Sequence, residues 1–254
     1  MKRFTSVLSS IALISLSFFT VLTSTTSQAS TNDTCEQKLF VNYTIEQKSM
    51  ALDEVTNNQN HAFSLQLLRR ENQILQLNDE SKTSTLWQKL PNKLVKETRY
   101  FDQFQRGIEY EPKKLPSDAW QIKAQLIAPR LIEQMSLINE TGMGCQRMQH
   151  FKLHDDKISL DLWWLPEIQI VKKLKQVTAD HQTVWLTQAI NTDKNVINRI
   201  FEKVQNYQTT DYADIGDNES DSFLAQMINL GFVEHGASGF YNANGQTISA
   251  KHSH

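Results

Sequence analysis

Leu39-Phe40-Val41-Asn42-Tyr43-Thr44-Ile45-Glu46 sets Leu39, Val41, Tyr43 and Ile45 on one parity and Phe40, Asn42, Thr44 and Glu46 on the other. Successive side chains of an extended chain point to opposite faces, so this pattern predicts a strand with one buried face and one wetter face. The same period recurs at Phe63, Leu65 and Leu67, at Leu86, Gln88 and Leu90, and through 94–102 and 106–111, where Ile108 and Tyr110 share a face. Polar turns such as Asn78-Asp79-Glu80-Ser81 separate the runs. Short alternating runs joined in this way predict an antiparallel meander.

The period then changes. Trp120, Ala124, Ile127, Leu131, Met135 and Ile138 follow Pro116-Ser117-Asp118 at helical spacing, and Ser117 or Asp118 is placed to cap the first amides. Pro129 lacks an amide hydrogen, which predicts a kink, or two short helices over 118–128 and 129–139. Past Gly142 and Gly144 the alternation returns at Ile158, Leu160, Leu162 and Trp164 and stops at Pro166. Residues 168–178 and 182–190 read as a hairpin, with Lys172, Lys173 and Lys175 marking the first as a solvated or edge strand. Val196, Ile197, Ile200, Phe201 and Val204 predict one C-terminal helix. Phe223, Leu224, Met227 and Ile228 predict a second, capped by Ser220 or Asp221 and stopped at Gly231. The expected fold class is α+β: a curved antiparallel sheet, an incomplete barrel, covered by a central kinked helix and followed by C-terminal helices.

Lys2 and Arg3, an apolar run from Val7 to Leu22 and small residues ending Ser27-Gln28-Ala29 have the order of a cleavable secretory signal peptide. The expected organisation is therefore a signal peptide over 1–29, a single α+β domain over 30–235 and a flexible Gly-, Ser-, Asn- and His-containing tail over 236–254. No later segment is long and apolar enough to span a bilayer, so the expected location is the periplasm. Removing the first 29 residues moves the formal charge from −2 to −4, which argues against a nucleic-acid partner. Cys35 and Cys145, the only two cysteines, predict a disulfide in an oxidising compartment, closing a loop of about 110 residues.

Asp211, Asp214, Asp217, Glu219 and Asp221 crowd around Gly216. Clustered carboxylates suit a hard cation, and Asp211, Asp214, Asp217 and Glu219 are the candidate ligands for calcium. The same acids also suit a helix N-terminus, where the dipole favours negative charge. Met143, Cys145, Met148, His150 and His154 carry copper-type donors, but a cysteine committed to a disulfide cannot ligate as a thiolate. Ser238 beside His235 lacks the strand–turn–helix setting that activates a serine. Arg99-Tyr100-Phe101 and Arg106-Gly107-Ile108-Glu109-Tyr110 read as cross-strand partners. Trp120, Trp163, Trp164 and Trp185 are the candidate lining of an apolar hollow between sheet and helix.

The order of elements over about 35–190 resembles the periplasmic lipoprotein-carrier (LolA-like) fold. Asp161-Leu162-Trp163-Trp164-Leu165-Pro166 and the hairpin after it are similar to that family's late strands. The resemblance implies an incomplete β-barrel, open on one side and lidded by helices. The acidic 211–221 segment and C-terminal helices depart from that family, and Asp211 to Phe232 resembles a signature of a bacterial envelope family. The leading expectation is a secreted, periplasmic, non-enzymatic protein that binds an apolar small molecule, a lipid or an envelope protein, with no resident cofactor. The alternatives are a metal-dependent envelope enzyme using the 211–221 cluster and a structural or assembly protein of the envelope.

Overall fold

The structure is a computed structural model and describes residues 35–50, 61–215 and 220–229. The expected signal peptide over 1–29, the polar 51–60 segment, Asp217, Glu219 and the expected tail over 236–254 lie outside these residues.

Among the described residues twelve strands form one sheet. They are β1 (Leu39–Ser49), β2 (His61–Arg70), β3 (Gln73–Asn78), β4 (Thr83–Lys89), β5 (Val95–Phe101), β6 (Arg106–Lys113), β7 (Ser136–Thr141), β8 (Met148–His154), β9 (Ser159–Leu165), β10 (Ile170–Val177), β11 (His181–Asn191) and β12 (Gln208–Asp211). Their spatial order is β12-β6-β5-β4-β3-β2-β1-β11-β10-β9-β8-β7. Neighbours pair antiparallel except β12, which lies parallel to β6.

Among the described residues four short α-helices accompany the sheet: α1 (Ala119–Gln125), α2 (Pro129–Gln134), α3 (Lys194–Gln205) and α4 (Ser222–Asn229). The α+β expectation is corrected, because the protein is predominantly β. A lidded incomplete barrel is replaced by an open, mixed sheet with helices against both faces. The periodicity misled at one place in particular. Met135 and Ile138 continue helical spacing, yet Met135 takes an extended conformation (φ −86°, ψ 151°) and Ser136–Thr141 becomes the edge strand β7. The central helix is two short ones because Ala128 is extended and Pro129 opens α2 at its first position, where no amide hydrogen is needed.

Strand parity sorts the core. Leu39, Val41, Tyr43, Ile45, Leu65, Leu67, Ile74 and Trp87 pack under Ile122, Leu126 and Ile127 of the α1–α2 segment. Leu68, Leu75, Leu86 and Tyr100 point the other way and pack against Ile197, Phe201 and Val204 of α3. The first turn of α3 is capped by Asp193, whose carboxylate accepts from the Asn195 amide at 2.8 Å. Phe101 and Ile108 pack against Ile215 and against Phe223, Leu224 and Met227 of α4. The lysine-rich β10 is an interior strand between β11 and β9, not an edge; Lys173 stands opposite Trp163 on the face away from the core.

The expected disulfide is present between Cys35 and Cys145, with an S–S distance of 2.02 Å. No helix among the described residues is long and apolar enough to cross a membrane.

Candidate ligand-binding site

Two adjacent strands lose their regular register at one end of the sheet. In β10, Val171 pairs with Trp164 and Lys173 with Trp163, so Lys172 is an extra residue. In β11, Asn42 pairs with Ala189 and Tyr43 with Thr187, so Gln188 is extra. The β10–β11 ladder reaches only as far as Lys173 and Leu186. Beyond that point β11 continues beside β1, and β10 continues beside β9. The Thr187 hydroxyl donates to the Val171 carbonyl at 2.6 Å, satisfying main chain that the ended ladder leaves without a strand partner. Bulges of this kind re-aim side chains and gather beside functional sites.

A cavity of about 530 Å³ lies where these strands part, and its lining includes Lys172 of β10 and Ile190 of β11. Leu39, Leu165, Ile168 and Met148 give it apolar walls, and Cys145 and Gln146 contribute from the turn before β8. The size falls within the range of small-molecule pockets, roughly 300–1,000 Å³. Its lining carries one cation, Lys172, and one carboxylate, Glu36. Glu36 is exposed and accepts the Lys38 amide at 3.0 Å. Lys172 is half-buried and has no ion pair among the described residues.

A strap crosses this end of the sheet. Four strand spacings of about 4.8 Å separate β1 from β8 in a sheet, roughly 19 Å. The segments just before these strands nevertheless meet, because the Cys35 and Cys145 Cα atoms are 5.4 Å apart. Gln37 donates to the Glu167 carbonyl at 2.8 Å, and Arg147 bridges Glu167 at 2.8 Å and Glu140 at 3.0 Å. Both strap segments line the cavity, through Glu36 and through Cys145 and Gln146.

The four tryptophans singled out in the sequence do not converge on this cavity. Trp164 and Trp185 are buried in the main core, Trp185 edge-on to Tyr43 at 6.0 Å between ring centroids. Trp163 faces the other way, stacked on His150 at 4.2 Å with the Lys173 ammonium 4.9 Å from its ring. Trp120 packs at the core margin under the Lys89 ammonium and lines a second hollow of about 510 Å³ that also contains Arg69 and Glu71. One sequence feature accompanies this cavity: Ile170-Val171-Lys172-Lys173 breaks strict alternation where β10 bulges.

Of the acidic cluster, Asp211 accepts the Ala213 amide at 3.0 Å. Asp221 pairs with Arg106 at 2.9 Å and accepts the Phe223 and Leu224 amides at the start of α4. Hydrogen bonds to the charged form, led by that from Arg106, hold the Asp221 carboxyl below the usual carboxylate range. Among the described residues no three His, Cys, Asp or Glu side chains stand together in a metal-holding group. The copper-type donors are also dispersed. Cys145 is in the disulfide, Met143 is exposed and Met148 lines the cavity, while His150 accompanies Asp161 at 3.0 Å.

No protein-family model matches the sequence, and no curated protein matches it. Two solved structures of PNGF-II, in different crystal forms, are similar to it at TM-scores of 0.36 and 0.32, with 9% and 8% identity. The likeness covers 71% and 67% of this chain and 32% and 31% of those. This chain therefore spans about a third of the length of the solved proteins it is similar to.

Proposed function

We propose that this chain is an exported periplasmic binding protein that holds an apolar ligand in the cavity between the diverging ends of β10 and β11, without chemistry of its own. The single observation that carries the reading is a mainly apolar cavity of about 530 Å³ beside the irregular ends of β10 and β11, bridged by a disulfide strap. Two bulges in neighbouring strands interrupt a ladder that would be more regular without them, and the Thr187 hydroxyl compensates one of them. Desolvation of the ligand at about 25 cal/mol per Å² of apolar area supplies the affinity. Lipoprotein cargo is not part of the proposal, because no residue match carries it.

The test is titration with N-phenyl-1-naphthylamine, a neutral dye that brightens in apolar surroundings. Saturable one-to-one binding is expected, and Ile190→Trp, which narrows the cavity, is expected to weaken it while the circular dichroism spectrum is unchanged. Absence of saturable binding, or equal binding by the narrowed variant, counts against the cavity. Recovery of the chain in the osmotic-shock fraction, starting near residue 30, checks the export half of the proposal.

A further inference from the structure

We infer that Lys172 makes the cavity selective for single-chain amphiphiles with a monoanionic head, a long-chain carboxylate being the simplest; this rests on the cavity being a binding site. Lys172 is the bulged residue of β10, so its position in the wall is set by the backbone irregularity that opens the cavity. It is half-buried and has no ion pair among the described residues, while nearby lysines do find partners: Lys173 over Trp163 and Lys152 with Asp161 at 3.3 Å. Besides the apolar Leu39, Leu165, Ile168 and Met148, the lining offers an anionic group the neutral Thr141, Gln146 and Thr192 and no second cation.

A charge flanked by apolar wall interacts more strongly than one in bulk water, because the effective dielectric is lower. The opposing carboxylate, Glu36, is exposed and bound to the Lys38 amide, so water and salt screen its repulsion. The ligand that satisfies both features has an apolar chain for the walls and an anionic terminus for Lys172. A cationic amphiphile would place like charge against Lys172, and a neutral one would forgo the charge pairing.

Calorimetric titration with decanoate, decanol and decylammonium, each below its micelle concentration, tests this on the disulfide-bonded processed chain. Decanoate is expected to bind about tenfold more tightly than decanol, the order of one hydrogen bond to a charged group, and decylammonium is expected to bind most weakly. Lys172→Gln is expected to abolish the preference, bringing decanoate down to the level of decanol. Equal affinity of the wild type for decanoate and decanol overturns the head-group inference and leaves the cavity reading standing. A Lys172→Gln variant that loses both ligands equally overturns it in the same way. If neither decanoate nor decanol binds, the cavity reading fails and the inference fails with it.

Discussion

The Lys123 ammonium lies 4.1 Å from the centroid of the Trp87 ring, in the buried seam between α1 and the sheet. Beneath it, Trp87 Nε1 donates to Glu97 at 2.8 Å, and Glu97 pairs with the buried Arg99 at 3.6 Å. Glu97 thus pairs with Arg99 and also acts electrostatically on Lys123. The ring face offsets part of the lysine's desolvation, since a cation is attracted to the negative face of an indole.

Stability is expected to rise with pH in the alkaline range because of Lys123. Burial pulls its pKa from 10.5 down to about 8; Glu97 acts against this, and Lys113 and Arg99 reinforce it. Between those two values the unfolded chain binds more protons than the folded one, so the free energy of unfolding increases with pH. The benefit is complete above 10.5 and is lost as pH falls through about 8. The tyrosines act in the opposite sense: burial raises Tyr43 above its ordinary value of 10 and Tyr100 to about 12, but this counts only above pH 10. Urea midpoints measured from pH 7 to pH 9.5 should therefore climb, and Lys123→Met should flatten the climb. A wild-type profile that is level or falling over that interval contradicts the assignment.

Reduction of the Cys35–Cys145 bond should act on both stability and ligand exchange. A loop of 110 residues gives a chain-entropy contribution of roughly 4–5 kcal/mol. The strap also crosses the cavity, so freeing it should speed ligand release as well as lower the unfolding midpoint. Stopped-flow release of the bound dye, compared between the native chain and the Cys35→Ser/Cys145→Ser double variant, separates the two effects. An unchanged release rate with a lowered midpoint leaves the disulfide as a staple alone.

Gly107 is where β5, β6 and β12 come closest. A Cβ added there would meet the Tyr100 ring at 2.8 Å and the Thr209 methyl at 3.0 Å. Thr209 belongs to the parallel edge strand β12, opposite Gly107 in the ladder. Gly107→Val should force that edge apart and destabilise the fold by about 1–3 kcal/mol, the usual range for overpacking. The companion change Tyr100→Leu, which removes the blocking ring, should recover part of the loss in a double-mutant cycle; strict additivity would show that the clash is not the cause.

Much of the sheet was legible because its strands obey a period of two. Leu39 to Ile45, Leu160 to Trp164 and the 168–190 hairpin all read directly as strands, and the disulfide followed from having two cysteines. Two strands at opposite edges were not legible for physical reasons. Ser136–Thr141 is exposed throughout, so no burial alternation marks it. Gln208–Asp211 has four residues and pairs in parallel with a strand about a hundred positions earlier. The cavity was obscured in a different way. Trp164 and Trp185 are buried indoles that fill volume, whereas the cavity is bounded by residues such as Leu39, Ile168, Lys172 and Ile190. The acids at 211 and 221 were visible as a cluster, and both cap local turns or helix starts.

Arg69 gives the last test, because it joins helix, sheet and cavity wall. Its guanidinium is buried, donates to the Ala124 carbonyl at 3.1 Å, and reaches the carbonyls of Ile168 and Gln169 in the β9–β10 turn. Ala124 lies in the last turn of the seven-residue α1, where carbonyls have no partner within the helix. Gln76 serves the next one, donating to the Lys123 carbonyl at 2.7 Å. Burial lowers the Arg69 pKa to about 10, so it remains charged at neutral pH, where a cation is favoured at a helix C-terminus. Arg69→Met leaves several buried acceptors without donors, each worth about 1–3 kcal/mol, and should cost roughly 3 kcal/mol in urea unfolding. Arg69→Lys should restore little, because a single ammonium cannot address carbonyls in two directions as the planar fork does. Since Ile168 forms part of the cavity wall, dye affinity should fall together with stability in both variants. Full stability in Arg69→Met would mean that water replaces the fork, and α1 would then be held by its apolar face alone.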